Sequence, residues 1–356
     1  MKASPAPELW AKLASAGLTV GGMPEAEGHT PWYVRVMLGI AGWLAAGFLL
    51  GFVGVGFAFV MESKTASIAV GFMVIAASYA VFRMAPRNDF SSMFGLAVSF
   101  AGQALVTSGI VGLFERHMTG AAPWLMIAAI EAALAVAMPN FIHRVVSAAA
   151  AALAFVYACE ISGAHAVAAG VLAASVAFVW LQEMRFGRFV AVAAPIGYGL
   201  TLAMIQVEGM ASFRHSMAIL AQEKAFLGTS LWIGETVVAI ALLASVWMLA
   251  RRAGWRHGES RTVLALAAAA AIGAASFKAP GIAGGLMIVL LGFANGNRVL
   301  ASLGIASLLV YVSSYYYLLD ATLLAKSGVL LATGAVLLGV RWLVLAVVMP
   351  KKVAGA

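Results

Sequence analysis

Residues 144–188 read RVVSAAAAALAFVYACEISGAHAVAAGVLAASVAFVWLQEMRFGR and contain two long segments with no Lys or Arg inside them. The stretch contains three arginines, and they lie at its two ends: Arg144 begins it, and Arg185 and Arg188 lie in its last four residues. A membrane-spanning helix needs about 20 mostly apolar residues, and basic residues collect on the cytoplasmic side. The stretch therefore predicts two membrane helices, at 144–162 and 164–182, which cross the bilayer and return.

The composition of the whole chain agrees with this prediction. Of its 356 residues, 63% are hydrophobic and only 10% are charged, with a mean hydropathy of +0.99, whereas a soluble protein carries about 25% charged residues. The apolar segments are rich in Ala, Gly, Leu and Val and do not alternate with polar residues, which favours helices over a membrane β-barrel. The predicted fold class is all-α.

We expect a polytopic transmembrane helix bundle of about twelve spans, with both termini cytoplasmic. The spans are predicted at 36–60, 65–82, 90–114, 121–138, 144–162, 164–182, 186–205, 231–250, 262–277, 281–295, 298–317 and 327–347. Residues 1–35 would form a cytoplasmic N-terminal segment, 36–350 the transmembrane domain and 351–356 a cytoplasmic tail. The two short spans, 262–277 and 281–295, are either a hairpin that crosses twice or one interrupted element.

The distribution of Lys and Arg orients the bundle. With the N-terminus inside, fifteen of these residues fall on the cytoplasmic side and six on the outer side, with Arg341 inside the last span. Merging the two short spans would worsen the split to thirteen against eight, so the charges favour two crossings there. The net charge of +8 then suits anionic lipid headgroups, and no nucleic-acid partner is predicted. The predicted location is the bacterial inner membrane.

Two polar stretches are interpreted as amphipathic helices at the membrane surface. Near the N-terminus, Leu9, Trp10 and Leu13 follow helical spacing, which is typical of an interfacial helix; the alternative is a docking element for a partner. The connection at 206–230, which includes Glu208, mixes apolar and polar residues. It is interpreted as a helix on the outer surface, with a lid over a substrate or a partner as the alternative.

Glu131 is unusual because it lies near the middle of the predicted span 121–138. An acidic residue at that depth costs roughly 2.5–3.5 kcal/mol on insertion scales, and no Lys or Arg lies at matching depth in another span. We therefore expect a protonated or hydrogen-bonded carboxyl and no salt bridge. Two interpretations stay open: a proton or cation site, which requires a water-filled cavity beside Glu131, or a structural hydrogen bond between helices.

Glu235 is the second candidate for an intramembrane polar site. It lies about one turn inside the span 231–250, near the outer interface, where we expect water to reach it. An interfacial carboxylate is the simpler interpretation.

Two clusters of Pro and Gly are unusual: 195–199 falls within the span 186–205, and 278–281 with Gly284 and Gly285 opens the span 281–295. Pro removes a helical hydrogen-bond donor, and Gly permits unwinding. Paired interrupted helices can mark a transport site, but Pro and Gly are also frequent in ordinary membrane helices. Both interpretations stay open.

A dense polar cluster is predicted on the outer side, at the end of the span 298–317. Tyr315, Tyr316 and Tyr317 follow one another, and Asp320 and Lys326 bracket the next connection. The cluster is either an aromatic belt with a solvated turn or a recognition surface for a partner.

Sequence signatures of enzymes are absent. The chain has no His-Glu-x-x-His motif, no Gly-x-Ser-x-Gly elbow, no P-loop and no Rossmann glycine run. Its six histidines lie mostly at connections without metal-ligand spacing, and Cys159 is the single cysteine. The sequence therefore predicts a non-enzymatic protein with no catalytic residue, no cofactor and no metal site.

The C-terminal part of the chain carries a family resemblance. Asn-Gly-Asn-Arg at 295–298 and YYYLLDATLLAKS at 315–327, together with Ala-Pro-Gly at 279–281 and PWYVR at 31–35, resemble an uncharacterised bacterial membrane family, number 4401 among the domains of unknown function. The resemblance implies an inner-membrane protein with no established activity and no known site residues. It also implies a partner, since such proteins are often encoded beside a membrane-anchored protein with a Gly-Asp-Tyr repeat motif.

Two functional hypotheses follow from these observations. The first is a non-enzymatic component of an envelope complex, which binds a membrane-anchored periplasmic partner through the outer tyrosine cluster. The second is a proton- or cation-coupled secondary transporter that uses Glu131, with the interrupted spans lining its path.

Overall fold

The computed structural model describes residues 6–17, 32–56, 63–84, 89–114, 120–220, 229–256, 258–277 and 279–318, with single positions at 324, 327 and 338. All regular structure in these ranges is helical, which confirms the predicted fold class. The described α-helices are α1 Ala6–Ser15, α2 Trp32–Gly56, α3 Lys64–Met84, α4 Asp89–Leu113, α5 Ala122–Ala137, α6 Phe141–Ile161, α7 His165–Leu181, α8 Val190–Leu220, α9 Thr229–Arg252, α10 Ser260–Ser276, α11 Ile282–Ala294 and α12 Arg298–Leu318. Two short 3₁₀ turns, Glu183–Arg185 and Gly187–Phe189, join α7 to α8.

The helices α2 to α12 coincide with the first eleven predicted spans, apart from α8, which is longer than expected. Five of them, namely α3, α4, α6, α8 and α9, are long and apolar enough to cross a membrane, and six described helices are shorter but apolar. The chain is therefore a multi-pass membrane protein. The predicted span 327–347 lies outside the described residues, and α1 confirms the helix predicted near the N-terminus.

Helix α8 corrects the prediction of a surface connection at 206–230. The helix does not end near residue 205 but continues to Leu220. Thr201, Met204, Glu208 and Ser212 are all buried, and their helical spacing makes them one continuous face that packs inside the protein. Because Glu208 belongs to this face, it is a core residue of the bundle and not a residue of a surface helix.

The two short spans are separate helices, α10 and α11, joined by a sharp turn. Gly281, just before α11, has φ 94, and a Cβ there would lie 2.7 Å from the Tyr311 ring; both features require glycine. The Ser276 hydroxyl, at the end of α10, accepts a hydrogen bond from the Ala283 N–H at 2.8 Å. At the other end of α11, Asn295 donates to the Trp180 carbonyl oxygen at 2.7 Å. The second Pro/Gly cluster therefore lies at a turn that separates α10 from α11.

The first Pro/Gly cluster, at 195–199, does not interrupt its helix. Pro195 lies inside α8, which continues on both sides of it. The glycines that follow permit close packing: a Cβ on Gly197 would lie 2.9 Å from Val179, and one on Gly199 would lie 2.7 Å from Ala148. The expectation of two interrupted spans is thus fulfilled only at the turn before α11.

Two hydrophobic cores share helix α6. One core contains Ile75, Leu96, Val106 and Ile127, from α3 to α5, with Ala154 of α6. The other contains mostly residues from α7 to α12, and α6 contributes three of its buried residues, Ala152, Val156 and Cys159. Helix α6 therefore joins the two halves of the described bundle.

The packing and the exposure of apolar side chains both fit a membrane protein. Helices α3 and α4 approach each other closely. A Cβ on Gly71 would lie 2.8 Å from the Gly102 carbonyl oxygen, and a Cβ on Gly102 would lie 2.8 Å from the Gly71 carbonyl oxygen. Small residues of this kind let membrane helices pack backbone to backbone. Large apolar side chains face outward, with Phe48 79% exposed and Phe293 72% exposed, as expected for lipid-facing positions. By contrast, Gly47 and Gly51 of α2 have nothing within 4 Å of an added Cβ, although their four-residue spacing is typical of closely packed membrane helices.

We predict that Gly102→Ala destabilises the folded protein by about 1–3 kcal/mol, because the new methyl group meets the Gly71 carbonyl and the Ile75 side chain. Thermal unfolding in detergent, followed by circular dichroism, measures the effect. Gly47→Ala is the matched control, since it adds the same methyl group in open space. Equal unfolding temperatures for the two variants would contradict the close contact between α3 and α4.

Candidate functional site

Two groups among the buried polar side chains of the described helices contain carboxyl groups. The first, which we call the Glu131 cluster, consists of Ser99, Gln103, Glu131, His143 and Ser147 from α4, α5 and α6. The second, which we call the carboxyl pair, consists of Glu208 of α8 and Glu235 of α9. Both clusters lie inside helix packing, where buried polar groups need partners because no bulk water reaches them.

Glu131 lies on α5 with only 5% of its surface exposed, so it faces protein. Its carboxyl group lies beside the Ser147 side chain and interacts with it, and no described Lys or Arg is among its interaction partners. The second carboxyl oxygen, Oε2, is buried without a hydrogen-bond partner among the described residues. A protein-facing acid with a polar partner and no salt bridge is what the sequence led us to expect.

The hydrogen bonds of the cluster continue from Ser147 across to α4. The Gln103 Nε2 donates to the Ser147 hydroxyl oxygen at 2.9 Å and lies 3.2 Å from the His143 Nε2. The same His143 nitrogen lies 2.7 Å from the Ser99 hydroxyl. Because the amide and the hydroxyl can both donate to Nε2, that nitrogen is the acceptor and Nδ1 carries the proton of a neutral ring. His143 Nδ1 lies 3.4 Å from the Ser147 hydroxyl, which completes a path from His143 to Glu131.

His143 is held in place by the start of α6 and by two aromatic rings. Asn140 precedes the helix, and its side chain accepts a hydrogen bond from the His143 backbone N–H at 3.1 Å, which is standard N-terminal capping. The imidazole is fully buried. The Phe100 ring stacks on it with centroids 5.6 Å apart, and the Phe82 ring meets it edge-on at 6.3 Å. The cluster is therefore rigid at its α6 end.

A narrow crevice borders Glu131 on the α4 side. Its lining includes Ile75, Gln103, Thr107, Ile130 and Glu131. The crevice has no room for a water molecule. In the described part of the chain, then, the water-filled cavity that the transport hypothesis requires is not found beside Glu131 in this conformation.

The carboxyl pair is the arrangement that the sequence did not suggest. Glu208 and Glu235 are 5% and 6% exposed, and their carboxyl groups lie close enough to interact with each other. Glu235 also lies beside the Gly281 backbone at the beginning of α11. The Oε2 atom of each carboxyl group is buried without a partner among the described residues. The expectation that water reaches Glu235 is wrong, because the side chain is buried.

Helices α11 and α12 enclose the carboxyl pair. A Cβ on Gly284 would lie 3.4 Å from the Glu208 side chain, so the glycine allows the carboxyl group to approach α11. Tyr311 of α12 packs its ring against Gly281 and donates its hydroxyl to the Ile205 carbonyl oxygen at 2.7 Å. The ring and its hydrogen bond hold the turn before α11 against the pair.

The structure brings Glu235 together with Glu208, but it keeps Glu131 in a separate cluster on other helices. Of the predicted outer surface, Tyr315, Tyr316 and Tyr317 belong to the last turns of α12, and their side chains lie outside the described residues. Asp320 and Lys326 also lie outside them. Within the described ranges, no group of three or more His, Cys, Asp and Glu residues could hold a metal ion.

Sequence reasoning missed Glu208, His143 and Gln103 as site residues. For Glu208 the signal was available, because the spacing from Thr201 through Met204 to Glu208 continues one helical face beyond the predicted end of the span. For His143 and Gln103 no local signal exists, since α4 and α6 bring them together from positions 40 residues apart.

The fold and the two buried clusters define a multi-pass α-helical membrane protein with carboxyl groups inside its helix packing. Residues 31–347 match the model of the family described as Domain of unknown function (DUF4401), so the chain belongs to that family. This match confirms the resemblance noted from the sequence. No curated protein and no solved structure matches the chain.

We predict that Ser147→Ala destabilises the protein by about 1–3 kcal/mol, because it leaves Gln103 and Glu131 without their shared hydroxyl partner. Thermal unfolding in detergent measures the loss. Ser108→Ala is the matched control, since the Ser108 hydroxyl is exposed and bonds only within its own helix, to the Leu105 carbonyl oxygen. A loss no larger than that of the control would show that the Glu131 cluster contributes little to stability.

Proposed function

We propose that the protein is a proton-coupled secondary transporter of the bacterial inner membrane, in which Glu131 carries the coupling proton. The observation that supports this most is the row of buried polar side chains from His143 through Ser147 to Glu131, where the Glu131 Oε2 atom has no partner among the described residues. Ionisable residues inside membrane helices commonly mark proton or ion pathways. The proposal includes no enzymatic step.

The chemistry of the Glu131 cluster favours a proton over a metal cation. Its members are a carboxyl group, two hydroxyl groups, an amide and an imidazole, all of which can donate and accept hydrogen bonds in one of their states. A proton can pass between such groups along existing hydrogen bonds, whereas a metal cation needs several oxygen ligands and a cavity. The crevice beside Glu131 is too narrow for a hydrated ion. Transport in this proposal requires the crevice to widen during the cycle.

The proposed topology has twelve spans with both termini cytoplasmic. It rests on the excess of Lys and Arg on one side of the predicted bundle. The separation of α10 from α11 also supports it, because each helix then makes its own crossing. In this topology the carboxyl pair lies towards the outer face, where α8 leaves the bundle and α9 enters it.

We predict that Glu131→Gln lowers proton uptake into liposomes by about tenfold or more, because the amide cannot give up and regain a proton. Purified protein is reconstituted, a membrane potential is imposed, and internal pH is followed with a fluorescent dye. Glu259→Gln is the control, because the Glu259 side chain is 37% exposed and belongs to the connection before α10, outside both clusters. Uptake that is equal in Glu131→Gln and wild type would remove Glu131 from the mechanism.

A role in an envelope complex is the second candidate function. Three consecutive tyrosines end α12, and in the proposed topology they face the periplasm beside Asp320 and Lys326. This surface would bind a membrane-anchored periplasmic protein, as the sequence resemblance suggested.

A photocrosslinking amino acid at Tyr316 is expected to trap one periplasmic partner in intact cells, identified by mass spectrometry. The same amino acid at Phe48, an exposed position of α2, serves as the control for nonspecific capture in the membrane. Identical products at the two positions would contradict a specific outer surface.

A further inference from the structure

We propose that Glu208 of α8 and Glu235 of α9 form a proton-binding site, which holds one exchangeable proton between two carboxyl groups at the beginning of α11. The site is distinct from the Glu131 cluster, which lies on α4, α5 and α6. Its part in transport rests on the proposed function, but the binding of the proton does not.

The proximity of the two buried carboxyl groups requires the proton. An ionised carboxylate can only accept hydrogen bonds, so two carboxylates cannot bond to each other. Two negative charges in contact also repel strongly where water is excluded, and such pairs retain a proton between them. Glu208 and Glu235 are both buried and interact with each other, so the pair holds at least one proton.

The surroundings of the pair offer no positive side chain in place of the proton. The interactions of Glu208 and Glu235 with ionisable groups are with each other and with Tyr311 of α12. No Lys or Arg of the described helices is among their partners. The side chains are more than nine-tenths buried, and the Oε2 atom of each lacks a partner in the described residues.

Helix α11 limits the pair to one proton. The Gly281 backbone lies beside Glu235, and the beginning of a helix carries a partial positive charge that stabilises a nearby anion. One carboxyl group can therefore remain ionised while the other holds the proton. Full protonation would lose this stabilisation, and full ionisation would leave two adjacent charges uncompensated. A single-proton state is the most stable occupancy.

Tyr311 positions the pair without sharing its proton. Its hydroxyl donates to the Ile205 carbonyl oxygen at 2.7 Å, so its only hydrogen is already used. Its ring fills the space beside Gly281 and so holds the turn beside Glu235. The exchangeable proton is thus confined to the two carboxyl groups.

Infrared spectroscopy of the purified protein tests the site without any transport measurement. Above about pH 6, ordinary carboxyl groups are ionised, so the carbonyl band of protonated carboxyl groups reports only unusual ones. We expect the double variant Glu208→Gln/Glu235→Gln to lose one protonated carboxyl group per molecule relative to wild type. Glu259→Gln is expected to lose none. Loss of none or of two in the double variant would overturn the proposal.

A single variant and a metal titration keep the test decisive. If the double variant fails to fold, Glu208→Gln alone is measured. It is expected to lose the same band, because the introduced amide replaces the proton as the donor to Glu235. Retention of the band would count against a shared proton.

Addition of Na⁺ at constant pH is expected to leave the wild-type band unchanged. Displacement of the band by Na⁺ would identify a metal-cation site instead.

Proton uptake by the liposomes separates this inference from the proposed function. The proposed function fails if wild-type protein shows no proton uptake, yet the infrared result would still stand. If wild type transports protons and the double variant transports equally well, the pair binds a proton without taking part in coupling.

Discussion

The exclusion of bulk water from the interior of the helix bundle is the constraint on which the rest of this structure depends. A carboxyl group in such an interior must find its partners within the protein, because neither water nor lipid supplies them. Glu131, Glu208 and Glu235 all face protein, and in the described residues none of them has a basic partner. Their carboxyl groups interact with a hydroxyl group, a backbone segment and another carboxyl group in place of basic side chains. A carboxyl group without a basic partner in such an interior favours its protonated form.

The helix packing provides these partners through small residues and sharp turns. Gly71 and Gly102 bring α3 and α4 into backbone contact, and the polar residues of α4 then lie against α6. At the other cluster, Gly281 and Gly284 allow α11 to approach Glu235 and Glu208. The glycines thus serve the sites indirectly, because each removes a side chain that would otherwise hold the helices apart. Helix α6 contributes residues to both hydrophobic cores and so connects the two halves of the described bundle.

The sequence predicted the helices of the bundle far better than the partners of its polar residues. Apolar segment length and the placement of Lys and Arg predicted ten of the described helices closely, and they predicted α10 and α11 as separate elements. The end of α8 was predicted wrongly, because Glu208 and the polar residues after it resemble a surface segment when only hydropathy is considered. Glu131 was identified from its depth alone, yet its contact with Ser147 could not be, since nothing in a linear pattern states which face of α6 meets α5.

The amino-acid sequence by itself determined the class of protein, the position of most helices and the presence of an acidic residue deep within a span. These follow from local hydropathy and helical periodicity, which are properties of neighbouring residues. Only the tertiary structure decided that Glu208 and Glu235 meet, that His143 is buried against α4, and that Pro195 leaves α8 intact while the chain turns before α11. Those outcomes depend on which helix faces pack together, and that choice is made by side-chain volumes and hydrogen bonds between residues far apart in the chain.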